Sequence, residues 1–168
     1  MEWVVNLVLS QAWWFTSLLS GRIRWASTAI QTSPSDPSAA SCQANVSALE
    51  IPNTRQLVAN CQPCATAMAV LLGGKGDVTD THGVWKLAKG APHTPSMMLV
   101  GDEIFMVSDG GIASCVDAKS GDVHWSERLG GSCSASPILV DGKLYVINEA
   151  GMVYVLGAGK KFNLLSKN

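Results

Sequence analysis

Val107-Ser108-Asp109-Gly110-Gly111-Ile112-Ala113-Ser114-Cys115-Val116-Asp117-Ala118-Lys119-Ser120-Gly121-Asp122-Val123-His124-Trp125 reads as strand, tight turn, strand, second turn and the opening of a further strand. Asp109-Gly110-Gly111 has the positive-φ tolerance that a close hairpin needs. Asp117 and Ser120 can satisfy backbone groups of the second turn, and Gly121 supplies its unusual dihedrals. Trp125 offers a broad flat surface to a neighbouring sheet. Working outward, Ser96–Val100 is an apolar strand closed by Gly101-Asp102, and Glu103–Ser108 follows it. Ile112–Asp117 is the third strand and Asp122–Arg128 the fourth. Alternation along the fourth places Val123 and Trp125 on one face and His124 on the other.

The unit repeats. Shifted by forty residues, Trp85 falls on Trp125, Gly90 on Gly130 and Gly111 on Gly151. Ser96-Met97-Met98-Leu99-Val100 falls on Ser136-Pro137-Ile138-Leu139-Val140, and Ile104–Val107 on Leu144–Ile147. Asp77 falls on Asp117. Four short antiparallel strands in about forty residues make a propeller blade, whereas a helical solenoid would show a 3.6-residue period that is absent. Asp109, Gly111, Asp117, Ser120, Gly121, Trp125, Trp85 and Gly151 are therefore read as structural repeat residues.

This motif, strand, Asp-Gly turn, strand, Asp-x-x-Ser-Gly and a strand carrying Trp, resembles the PQQ-like (pyrroloquinoline quinone-type) repeat family. The blade opening Ser136-Pro137-Ile138-Leu139-Val140-Asp141-Gly142-Lys143-Leu144-Tyr145-Val146 is similar to that family's opening as well. The family includes quinoprotein dehydrogenases, planctomycete-type PQQ-binding-like proteins and an outer-membrane assembly lipoprotein. The resemblance implies an all-β fold for residues 75–168. It would be a partial β-propeller of about two blades plus the last strand of a preceding one, behind a helical or irregular N-terminal extension. It also implies an extracytoplasmic, periplasmic location. A quinone site would require a tryptophan floor, calcium held by carboxylate and amide oxygens, a catalytic aspartate and adjacent cysteines. No Cys-Cys pair occurs, so no cofactor is expected and PQQ enters by family name only.

The N-terminal part is a different kind of sequence. Residues 1–31 hold an uncharged run from Trp3 to Ser20, a membrane-segment candidate by length, though Glu2 precedes it and Arg22 and Arg24 follow. Residues 32–74 read as a linker and irregular region, since Thr32–Ser41 is rich in Ser and Pro. Ala65–Leu72 within it suits either a buried strand or a short helix.

Twelve basic and thirteen acidic side chains, without a basic cluster, argue against nucleic acid. The odd cysteine set, 42, 61, 64, 115 and 133, makes no disulfide framework, and Cys61-x-x-Cys64 lacks two further ligands at zinc-finger spacing. Gly73-Gly74-Lys75-Gly76 lacks the rest of a phosphate loop, and Asp77–Asp80 does not fit a calcium loop. His82, His93 and His124 have no catalytic partner at meaningful spacing. With no complete catalytic constellation, the expected function is a non-catalytic interaction scaffold. Its partner would be a protein or the missing blades. Two alternatives stay open: a fragment of a PQQ-dependent oxidoreductase, and a membrane-anchored extracytoplasmic sensor using residues 3–20. Two blades would leave outer apolar faces bare, so the chain is expected to associate.

Overall fold

The structure, a computed structural model, describes residues 48–61, 65–73 and 79–168. They form three four-stranded antiparallel sheets, each a meander of consecutive strands. Blade one is β1 (Ala48–Ile51), β2 (Gln56–Cys61), β3 (Thr66–Leu71) and β4 (Gly83–Leu87). Blade two is β5 (Met98–Val100), β6 (Glu103–Val107), β7 (Ile112–Asp117) and β8 (Val123–Arg128). Blade three is β9 (Ile138–Val140), β10 (Lys143–Ile147), β11 (Val153–Gly157) and β12 (Leu164–Lys167). The one helical turn among the described residues, α1 (Thr79–His82), precedes β4.

The blades stack face to face because blade two is apolar on both faces. On β6, Ile104 and Met106 point one way while Phe105 and Val107 point the other, and none is more than 3% exposed. Ile104, Met106, Val116 and Ala118 meet Ile51, Val58, Ala67 and Ala69 of blade one. Phe105, Val107, Cys115 and Trp125 meet Leu144, Val146, Tyr154 and Leu156 of blade three. Each large side chain so buried contributes roughly 1.5–3 kcal/mol before ordering costs. First strands converge. β1 lies against β5, and the Ser96 amide donates to Ser136 Oγ at 2.9 Å, so they form the inner edge of the array.

Several expectations change. Part of the stretch read as irregular is three strands, and Ala65–Leu72 resolves to strand β3, so there are three blades where about two were expected. The turns of blade one lack the Asp-Gly signal. Asn53, Arg55 and Ala65 take positive φ there, and Thr54 Oγ1 donates to the Ile51 carbonyl at 2.9 Å. Asp77, which the forty-residue shift sets on Asp117, lies outside the described residues. Val123 does not share the face of Trp125. A register shift pairs Cys115 with Trp125 but Val116 with Val123, which leaves Val123 48% exposed. Along Leu144–Ile147, Leu144 and Val146 are buried while Ile147 is 43% exposed. The membrane-segment candidate at 3–20 and the extension through residue 47 lie outside the described residues. No described helix is long and apolar enough to cross a membrane.

Candidate functional site

The distinctive chemistry of the chain sits in two inter-blade seams, each closed by a tryptophan from the fourth strand of the earlier blade. In the first seam Trp85 reaches across to blade two and its indole N–H donates to the Ala118 carbonyl at 3.0 Å. Its ring lies flat over Gly121, where a Cβ would come within 2.6 Å of the ring carbons. In the second seam the Trp125 indole donates to the Gly159 carbonyl at 2.9 Å. There the ring is held edge-on by Phe162, with centroids 5.2 Å apart, and backed by Phe105 at 6.1 Å.

The turn receiving Trp85 is made rigid by its own polar side chains. Asp117 Oδ1 accepts the amides of Lys119 and Ser120, both at 2.9 Å, and Ser120 Oγ donates to Asp122 at 2.7 Å. Gly121 sits at φ 79° and donates its amide to the Asp117 carbonyl. The Ser120 amide, and then that of Lys119, hold the Asp117 carboxyl below its ordinary range against the opposing effect of burial. Asp109 fastens a loop entering blade two: its carboxylate accepts the amides of His93 at 2.6 Å and Thr94 at 3.1 Å. Burial alone would raise Asp109, but these bonds together outweigh it and its carboxyl also lies low.

Gly111, at φ 75°, is crossed by the strand link of the next seam: Leu129 donates its amide to the Gly111 carbonyl at 2.9 Å. A Cβ on Gly111 would collide with the Gly131 carbonyl oxygen. Gly151, its counterpart in blade three, has φ 80° and open space around it. Asn148 was missed by motif reading. It is buried, accepts the Met152 amide at 2.9 Å and donates to the Gly130 carbonyl at 3.2 Å. The forty-residue shift places it on Ser108, whose Oγ accepts the Ile112 amide at 3.1 Å, so the repeat carried that signal. Phe162 had no such signal, because the turn it occupies departs from Asp-x-x-Ser-Gly.

A quinone and calcium site does not fit these residues. Among the described residues no three His, Cys, Asp or Glu side chains come together to hold a metal. The carboxylates of Asp109 and Asp117 are committed to turn amides. Cys115 and Cys133 are free and buried. Burial, helped by the charge of Glu103, pushes Cys115 up to about 11, and burial raises Cys133 as well, so neither is a ready nucleophile. His82, His93 and His124 are not brought together with one another in any such group.

A family model described as outer membrane protein assembly factor BamB matches residues 74–160. The chain belongs to this family of PQQ-like repeats. Within the family, BamB of Burkholderia pseudomallei is 32% identical over 87 residues, covering 50% of this chain and 23% of that protein. The crystal structure of BamB from Moraxella catarrhalis superposes with a TM-score of 0.55 at 16% identity, over 77% of this chain and 37% of that one. A europium-containing methanol dehydrogenase gives 0.52 at 14% identity, over 67% and 23%. The last two likenesses concern the fold alone. The chain thus spans well under half the length of each of these three proteins.

Proposed function

We propose that this chain is a non-catalytic interaction module that takes part in outer-membrane protein assembly, outside the cytoplasm. The observation that carries this reading is the match of both Trp-bearing repeats to the BamB family model. The seams support it, since the polar groups of the motif are spent on turns and inter-blade docking, as in a scaffold whose role is to present surface. The test is binding of an unfolded outer-membrane β-barrel polypeptide by the purified full chain, followed by fluorescence anisotropy. Saturable binding that a folded barrel does not compete away is expected, and no binding overturns the reading. Titration with PQQ and calcium is expected to give no saturable fluorescence change. A stoichiometric curve would instead favour a fragment of a quinone-dependent oxidoreductase. Flotation with liposomes that depended on residues 3–20 would favour a membrane-anchored sensor.

A further inference from the structure

The two chain crossings between blades meet at one residue. Crossing one, residues 88–97, runs from β4 to β5, and crossing two, residues 129–137, runs from β8 to β9. The forty-residue shift sets His93 on Cys133. In the fold both amides turn to Asp109, in the link between β6 and β7. His93 and Thr94 donate to its carboxylate at 2.6 and 3.1 Å, and Cys133 donates to its backbone carbonyl at 2.9 Å. The carboxyl lies below its ordinary value, so at neutral pH it is ionised and its two bonds are charge-assisted.

Each crossing is bound on its other side to a different blade. The buried Asn60 side chain of β2 donates to the Pro92 carbonyl at 2.8 Å, and the Ala91 amide donates to the Ala65 carbonyl at 3.1 Å, so crossing one goes with blade one. Asn148 donates to the Gly130 carbonyl at 3.2 Å and the Glu149 amide to the Ser132 carbonyl at 2.8 Å, so crossing two goes with blade three. Leu129 and Gly130 return to blade two on the Gly111 carbonyl, in the same turn as Asp109. In a stack of repeats each unit ordinarily answers only to its neighbours. Here the turn 108–111 answers to both crossings at once. Pulling crossing one away strips the Asp109 carboxylate of two bonds and loosens the turn that carries the acceptors of crossing two. We infer that Asp109 couples the two seams, so that loosening one loosens the other across the width of blade two. The crossings also touch where the Ser96 amide donates to Ser136 Oγ at 2.9 Å, but that bond is exposed and water replaces it at little cost.

Amide hydrogen exchange of the full chain, followed residue by residue by NMR, tests this. Trp85→Phe keeps a ring in the first seam but removes its bond to the Ala118 carbonyl. It is expected to speed exchange of the Leu129 and Cys133 amides, in the second crossing, by about threefold or more. Coupling is reciprocal, so Trp125→Phe should speed the His93 and Thr94 amides by a similar factor. In an Asp109→Asn background, which keeps one acceptor oxygen, the effect of Trp85→Phe on crossing two should shrink, and in Asp109→Ala it should vanish. Ser136→Ala should leave it whole. Near-UV circular dichroism checks that each variant is folded, and Asp109→Asn decides should Asp109→Ala not fold. No effect of either tryptophan at the far crossing, the same acceleration with and without the Asp109 carboxylate, or its loss in Ser136→Ala would each overturn the coupling. A general loss of stability speeds exchange alike in both backgrounds and so counts against it. None of these outcomes bears on the binding of barrel polypeptide proposed above.

Discussion

The two seams use the same donor and differ in how they bury the ring. Trp85 lies flat on a residue without a side chain, Gly121, in a turn stiffened by Asp117 and Ser120, and the ring stays half-buried. Trp125 meets a turn longer by one residue. There Gly157 replaces the aspartate, and the amide of Gly157 bonds to the Asn163 carbonyl as that of Asp117 bonds to Asp122. The ring is closed by Phe162 and is 9% exposed. Lys160 of the same turn adds an ion pair to Glu103 of blade two at 3.4 Å. The indole-to-carbonyl bond thus sets the register between blades, while apolar closure is met either by removing a side chain or by adding one.

The sharpest way to break the comparison is Trp125→Ala. It removes a buried aromatic that Phe105 and Phe162 cannot collapse to replace, and should cost about 3–5 kcal/mol. Trp85→Ala should cost less, because its ring is half-buried. Urea melts of the full chain measure both, and equal losses would show that the two seams are closed alike.

Gly111→Ala comes next, at about 2–4 kcal/mol, since it adds positive-φ strain to a collision with the Gly131 carbonyl. Gly151→Ala, with similar φ but no neighbour, should cost only the strain, about 1–2 kcal/mol. The difference between these two midpoints measures what a covering blade adds.

Gly121→Ala should cost about 2–3 kcal/mol, part strain and part contact with the Trp85 ring. Made together with Trp85→Ala, the contact part should vanish, so the pair should be less than additive. Additive losses would mean that the ring does not rest on this glycine.

The smallest effect is electrostatic and belongs to blade two. Asp109 and Asp117 titrate below their ordinary value of 3.8 when folded, so their contribution is present above that range and lost as pH falls through the lowered values. Asp117→Asn should flatten the acid limb of stability below about pH 4 and leave the profile from about pH 5 to 8 unchanged. A flattened slope near neutrality instead would point to a different group.

Blades two and three were legible in the sequence because local chemistry and global fold agree there. Gly101, Gly111 and Gly121 each take the positive φ that their turn motifs announce, and the predicted strands lie within two residues of β5 to β8. Blade one hid its strands for two reasons. Its turns use Asn53, Arg55 and Ala65 at positive φ, which no motif advertises. Leu57, Val58, Ala59 and Asn60 are buried in succession, so β2 shows no alternation. The repeat shift also fails there, because eleven residues separate β3 from β4 where five separate β7 from β8.

From the sequence alone came the repeat unit, its strand count and the residues that turn the chain, because those are set by backbone dihedrals within a few neighbouring positions. Only the tertiary structure decided which face each strand presents at a bulge, as Val123 shows, and how each tryptophan is closed. It alone shows that, among the described residues, Ile138 and Ile147 are exposed while the matching Phe105 and Val107 are buried. Burial depends on what another blade brings across the seam, and no local pattern of apolar residues records whether that blade is there.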